Sequence, residues 1–252
     1  MAREFDYVED MYEVFKRELA ERSQTSLSLK PPGFRHQAEP LRLVLRRGQP
    51  FNLILHCNRP VDLEKDAITV QLDFGKHPSL ERQTRRILPA RQPGSQLSAW
   101  SARLGQAHHR NTLELFVCTG ADAFVGAWRL SLEVGKRLPN GRVLGAYPAA
   151  SLPGFLFLLF NPWCPEDGTH LDSETELEEY VLADHGCLWT GAKAGQYTPC
   201  PWNFAQFEDV SLYSALLCLR QGRYLTDSER GDPVLVSRRL TASVNDNIVA
   251  GN

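Results

Sequence analysis

Ile68-Thr69-Val70-Gln71-Leu72-Asp73-Phe74 alternates apolar and polar side chains without a break, and Trp128-Arg129-Leu130-Ser131-Leu132-Glu133-Val134 repeats the pattern further along. Successive side chains of a strand point to opposite faces, so each stretch reads as a strand with one face inward. Leu41, Leu43 and Leu45, alternating with Arg42 and Arg46, make a third. Residues 51–57, 97–104, 111–119 and 155–160 are further strand candidates. The punctuation between them comes from Arg47-Gly48-Gln49-Pro50, Pro93-Gly94, Pro139-Asn140-Gly141 and Pro153-Gly154. Seven short strands in about 120 residues point to an immunoglobulin-like β-sandwich.

At Asn161-Pro162-Trp163 the alternation stops. Ser173-Glu174-Thr175-Glu176 fits a capping box, in which the hydroxyl satisfies an amide at a helix start and the Glu reaches back. Leu177, Tyr180, Val181 and Leu182 would supply that helix's apolar face, and Asp184-His185-Gly186 would end it. Residues 207–219 are a second helical candidate, with Leu212, Leu216 and Leu219 on one side. Ahead of the strands, Val8, Met11, Tyr12, Phe15 and Leu19 stand at spacings of three and four, the pattern of a short helix. Residues 23–40, with Pro31-Pro32-Gly33, read as a linker. The expected organisation is a leader helix and linker over 1–40, a sandwich over 41–161 and a second module over 162–252.

A chain of 252 residues that is 42% apolar can bury one substantial core and part of a second. Its 28 basic and 30 acidic residues leave a formal charge of -2, so no global field favours nucleic acid or an anionic membrane. Arg82, Arg85, Arg86 and Arg91 form a local basic stretch, read as a solvated strand edge or loop. The longest apolar run, residues 155–160, is far short of the roughly 20 residues that cross a bilayer, so no transmembrane segment is expected. The acid-studded start, Met1-Ala2-Arg3-Glu4-Phe5-Asp6, is unlike a secretory signal. Cysteines stand at 57, 118, 164, 187, 200 and 218 without a Cys-x-x-Cys pair, as expected of free thiols in a reducing compartment. The expected location is the cytoplasm, with unconventional export to the extracellular side as a second route.

Four phrases carry a resemblance. Arg46-Arg47-Gly48-Gln49-Pro50-Phe51, Leu158-Leu159-Phe160-Asn161-Pro162-Trp163-Cys164, Glu178-Glu179-Tyr180-Val181-Leu182 and Pro201-Trp202-Asn203-Phe204-Ala205-Gln206-Phe207-Glu208-Asp209 occur in that order. Together they resemble the animal transglutaminase family, protein-glutamine gamma-glutamyltransferases, over roughly residues 41–250. Gly231-Asp232-Pro233-Val234-Leu235-Val236-Ser237-Arg238 resembles a segment of the family's core; with Gly186-Cys187 it is similar to the prostate-type branch. The resemblance implies a mainly β chain: the family's N-terminal sandwich, then a partial α+β, papain-like catalytic core. It implies an acyltransferase that cross-links protein glutamine to lysine or other amines through a Cys-His-Asp site, with calcium organising the core.

The family's nucleophile lies in a Gly-Gln-Cys-Trp motif, and none of the six cysteines stands in one. No residue is therefore carried over as catalytic, cofactor-binding or metal-binding. The expectation is a truncated form, inactive alone, whose partners are protein substrates. The alternative is a non-enzymatic sandwich module that binds matrix or cytoskeletal protein, or regulates a full-length transglutaminase. A core begun and not finished should leave its helix faces exposed, open to self-association.

Other residues invite chemistry but have plainer readings. Cys164 precedes Pro165-Glu166-Asp167, an acidic setting that should raise its pKa and blunt it. Cys187 lies two residues after His185 and is not expected to form a dyad with it. His108-His109 reads as a solvated hairpin turn. Asp172, Glu174, Glu176, Glu178 and Glu179 lack calcium-loop spacing and suit a helix start. Trp163, Trp202, Phe204 and Phe207 are expected to matter to the fold, with the Pro201-Trp202-Asn203-Phe204 cluster packing the first core helix against the sandwich. Ala205 and Val210 stand where the family commonly has Gly.

Overall fold

The alternating stretches form neighbouring strands. In the computed structural model β4 (Asp66–Phe74) and β8 (Gly126–Arg137) pair antiparallel, from Asp66 opposite Lys136 to Phe74 opposite Trp128. Ile68, Val70, Leu72, Phe74, Trp128, Leu130, Leu132 and Val134 are all buried, as the period of two requires. The structure describes residues 8–10, 43–57, 61–109, 112–151, 155–193, 195–221 and 225–250.

Around this pair one sheet grows. The other edge of β8 is shared by β9 (Val143–Ser151) and β10 (Leu156–Leu159), and β2 (Leu43–Arg46) pairs parallel with β10. The second sheet runs β1 (Val8–Asp10), β3 (Pro50–Cys57), β7 (Thr112–Cys118), β6 (Ser101–His109). The sheets are joined by β5 (Arg85–Arg91), whose Arg85 to Pro89 pair with β4 while Ala90 and Arg91 pair parallel with Ala102 and Arg103 of β6. The inward faces of both sheets meet in one cluster that includes Leu53, Leu55, Leu104, Leu115 and Val117 on one side and Val70, Leu72, Leu130 and Leu158 on the other. This is the mainly β sandwich the sequence predicts. At its heart Trp128 is fully buried, stacks at a tilt on Phe74 and Trp100, and donates its indole N–H to the Phe124 carbonyl at 2.8 Å.

Several expectations are corrected. The leader stripe reads as a helix, but Val8–Asp10 is a strand paired with the end of β3; Met11, Tyr12, Phe15, Leu19 and the linker over 23–40 lie outside the described residues. The residues 97–104 candidate starts later, at Ser101, because Ser98 to Trp100 form the turn into it. The basic stretch divides: Arg82 lies in an exposed turn and Arg91 is exposed at the end of β5, as expected, while Arg85 and Arg86 are half-buried. That strand joins the two sheets, Arg85 grips Asp73 at 2.7 Å, and Arg86 lies over the Trp100 ring. His108 and His109 are the last residues of β6, ahead of the turn. Leu43, Val44 and Leu45 are all buried, since Val44 faces a helix instead of water.

That helix is α2 (Asp209–Gln221), which with α3 (Pro233–Ala250) follows the sandwich. Leu216 and Leu212 pack on Val44, Phe157 and Leu159, while Leu219 meets Val125, Val236 and Leu240. The predicted leucine face is therefore covered by the outer surface of the first sheet, contrary to the expectation for this helix, whereas Tyr180 and Leu182 of the earlier helical turn are exposed as expected. Before it come a one-turn helix, α1 (Glu174–Leu177), a π turn (Glu178–Leu182), and a hairpin of β11 (His185–Lys193) and β12 (Gln196–Asn203). Ser173 occupies the N-cap position of α1, but its hydroxyl makes no capping bond. A reciprocal box forms instead at Thr226-Asp227-Ser228-Glu229, where the Thr226 amide donates to the Glu229 carboxylate at 2.8 Å and the Glu229 amide to the Thr226 hydroxyl.

Leaving the hairpin, Ala205 has φ of +50°, a left-handed conformation that a Cβ resists by about 1–2 kcal/mol. Its amide is held by the Asn203 side chain at 2.8 Å, so the strain is tolerated. Ala205→Gly should raise the unfolding free energy by about 1 kcal/mol, measured by urea denaturation. In the same assay Trp128→Ala should cost about 3–5 kcal/mol through the void it opens.

Candidate functional site

Where the sandwich hands over to the second module, charge is buried. Arg47 follows β2 and is 2% exposed. Its Nε and Nη2 donate to the two carboxylate oxygens of Asp167 at 2.6 and 3.0 Å, and its Nη1 donates to the Ala123 carbonyl at 2.8 Å. Asp167 in turn accepts from the Asn161 amide and from the amide and hydroxyl of Thr169. The Asn161 side-chain amide donates back to the Arg47 carbonyl at 2.9 Å. Burial pushes the Asp167 carboxyl up, but the Arg47 bonds, the Thr169 bonds and the Arg47 charge outweigh it and hold the group below the ordinary carboxylate range. Trp163 belongs to this junction, with the Arg46 guanidinium 4.0 Å above its ring.

Gly48 allows the closure. It has φ of +76°, and a Cβ there would sit 2.9 Å from the Cys164 sulfur. Nearer the helices, buried Arg230 makes a second anchor: its guanidinium donates to the Val125 and Leu219 carbonyls at 3.2 Å and lies over Phe74.

The thiols near this junction are not activated. Cys118 is buried, and desolvation with help from nearby Cys164 pushes it up to about 11. Burial raises Cys164 too, and its thiol donates to Glu166 at 3.2 Å, as the acidic neighbourhood predicts. Cys187 and His185 are two apart on β11 and share a strand face, yet no hydrogen bond joins them among the described residues. The His170 ring Nε2 lies 2.8 Å from a carboxylate oxygen of Asp172, while Glu174, Glu176, Glu178 and Glu179 are exposed. Among the described residues no group of three or more His, Cys, Asp or Glu side chains is placed to hold a metal ion.

The aromatic cluster is displaced from its expected place. Trp202, Phe204 and Phe207 are about half exposed, because the hairpin carrying the first of them stands clear of the sandwich. Phe204 lies against Gly186, where a Cβ would come within 2.9 Å of its ring. Trp189 and Tyr197, absent from the sequence reading, add an edge-to-face pair 4.7 Å apart on the same hairpin.

The chain as a whole is similar to known proteins. A family model described as "Transglutaminase family" matches residues 35–135. Annulin of Schistocerca americana is 35% identical over 212 residues, covering 83% of this chain and 26% of that protein. Protein-glutamine gamma-glutamyltransferase 5 of Homo sapiens is 35% identical over 233 residues, covering 88% of this chain and 31% of that protein. The chain belongs to the transglutaminase family. The crystal structure of red sea bream transglutaminase superposes with a TM-score of 0.56 at 25% identity, over 79% of this chain and 28% of that one. This transglutaminase-family chain thus spans about a third or less of the length of these relatives.

The junction has a definite energetic signature. Arg47→Ala strands the buried Asp167 charge and should cost about 3–5 kcal/mol. The folded carboxyl titrates below its unfolded value of about 3.9, so this stabilisation is whole above about pH 4 and fades as pH falls through the folded pKa. The gap in unfolding free energy between the parent chain and Arg47→Ala should therefore be widest near neutrality and shrink in acid, read from urea denaturation across pH.

Proposed function

We propose that this chain supplies the sandwich and the opening of the catalytic core of a protein-glutamine gamma-glutamyltransferase, and performs no acyl transfer by itself. The observation that carries this reading is the state of its thiols. Glutamine-to-amine transfer needs a thiolate to attack the carboxamide, release ammonia and hold a thioester until an amine arrives. Of the six cysteines none lies in the family's Gly-Gln-Cys-Trp motif. At the junction, Cys118 and Cys164 are held toward the protonated form.

On this reading the chain's role is binding and scaffolding. The second module leaves large apolar side chains in water, among them Tyr180, Trp189, Trp202, Val210 and Val234, and that surface favours a protein partner or the remainder of a transglutaminase core. A non-enzymatic module that binds matrix or cytoskeletal protein, or regulates a full-length transglutaminase, fits the same surface. Free thiols at Cys118, Cys164, Cys187, Cys200 and Cys218 favour a reducing, cytoplasmic setting. Unconventional export remains the second route in this proposal.

The test is incorporation of a fluorescent primary amine into a glutamine-bearing protein in the presence of calcium. The purified chain should give no signal above buffer, while a complete transglutaminase in the same assay does. Incorporation that disappears when one of the six cysteines is changed to Ser would overturn the proposal.

A further inference from the structure

The hairpin β11–β12 is a two-stranded sheet with no third strand on either edge among the described residues. Such a ribbon is marginal alone. Its two edges are not equivalent. Pro199 stands opposite Trp189 and Pro201 opposite Cys187. A proline has no N–H to give, so these must be non-hydrogen-bonded pairs, and the bonds between strands run through Gly186–Trp202, Leu188–Cys200 and Thr190–Thr198. The outer edge of β12 therefore shows prolines where an added strand would look for donors. The outer edge of β11 shows the N–H and C=O groups of Cys187 and Trp189. One edge is closed and the other open.

The geometry points to β11 as a self-pairing edge that joins two copies of this chain into a dimer. Two β11 strands running antiparallel about a two-fold axis at Leu188 would let Cys187 of each copy exchange both backbone bonds with Trp189 of the other. The ribbon would become a four-stranded sheet ordered β12-β11-β11-β12. Three features favour a second copy as occupant. The edge is complementary to itself under that two-fold. Between His185 and Asn203 the only Lys, Arg, Asp or Glu is Lys193, beside the turn, so the pairing brings no like charges together at its centre. The proline edge then stops further addition, so the assembly closes at two. Pairing would also cover Leu188 and Trp189, 48% and 63% exposed in the single chain. This inference is independent of any catalytic reading.

The test is the solution mass of the 252-residue chain by light scattering in reducing buffer, which removes any Cys187 disulfide. The expected mass is twice the 28.4 kDa of one chain. Trp189→Pro removes one outward N–H, as Pro199 does opposite, so it should give the single-chain mass with unchanged circular dichroism. Should that variant fail to fold, Cys187→Lys decides, since it sets two like charges beside the axis and should likewise lower the mass to one chain. A single-chain mass for the parent protein, or a dimer that survives a folded variant, would overturn the proposal.

Discussion

The loop that follows the sandwich is held to it by one buried ion pair. Arg47 leaves the first strand of the sandwich proper and Asp167 sits in the loop that follows its last, and their two-point contact closes the chain on itself across 120 positions. A buried guanidinium and carboxylate repay their desolvation only when the remaining hydrogen-bonding capacity is also used. Here it is used: Ala123, Asn161 and Thr169 each take a place in the network. The loop is thereby fixed in register with the sheet. The helix pair rests on the surface so prepared, with Leu216 on Val44 and Phe157, and Arg230 pinned beneath Val125.

The sandwich was legible because its two central strands face core on one side and a partly wet surface on the other, and that difference writes itself as alternation. Strands outside this condition were harder to read. Arg85-Arg86-Ile87-Leu88-Pro89-Ala90-Arg91 pairs with both sheets, and its charges answer partners elsewhere, Asp73 and the Trp100 ring, so no simple period survives. Val44 departs from simple alternation because a helix distant in sequence covers it. The capping box was a correct signal at the wrong address: local spacing at Ser173 matched, but the reciprocal bonds formed at Thr226.

The candidate site was legible as family and less so as geometry. The Arg47 and Asn161 phrases carried the resemblance without disclosing that Arg47 and Asp167 meet, since pairing across such a separation leaves no local trace. The aromatics of Pro201-Trp202-Asn203-Phe204 were read as packing, yet in this chain they decorate a hairpin that stands off the sandwich. Ala205 shows the converse. Its departure from the family's Gly was visible in the sequence, and the positive φ explains why a glycine suits that position. At the junction Arg47, Asp167 and Asn161 all find hydrogen-bond partners; beyond it, apolar side chains face water. That contrast separates a finished core from a surface suited to association.

The measurement that bears most directly on this account is amide hydrogen exchange on Arg47→Met beside the parent chain. If the ion pair is what fixes the junction, protection should fall at the Asn161, Thr169 and neighbouring loop amides and in α2, while the central β4 and β8 amides keep theirs. Protection that is unchanged in the loop, or that falls equally throughout the sandwich, would contradict the claim that this pair anchors the second module to the first.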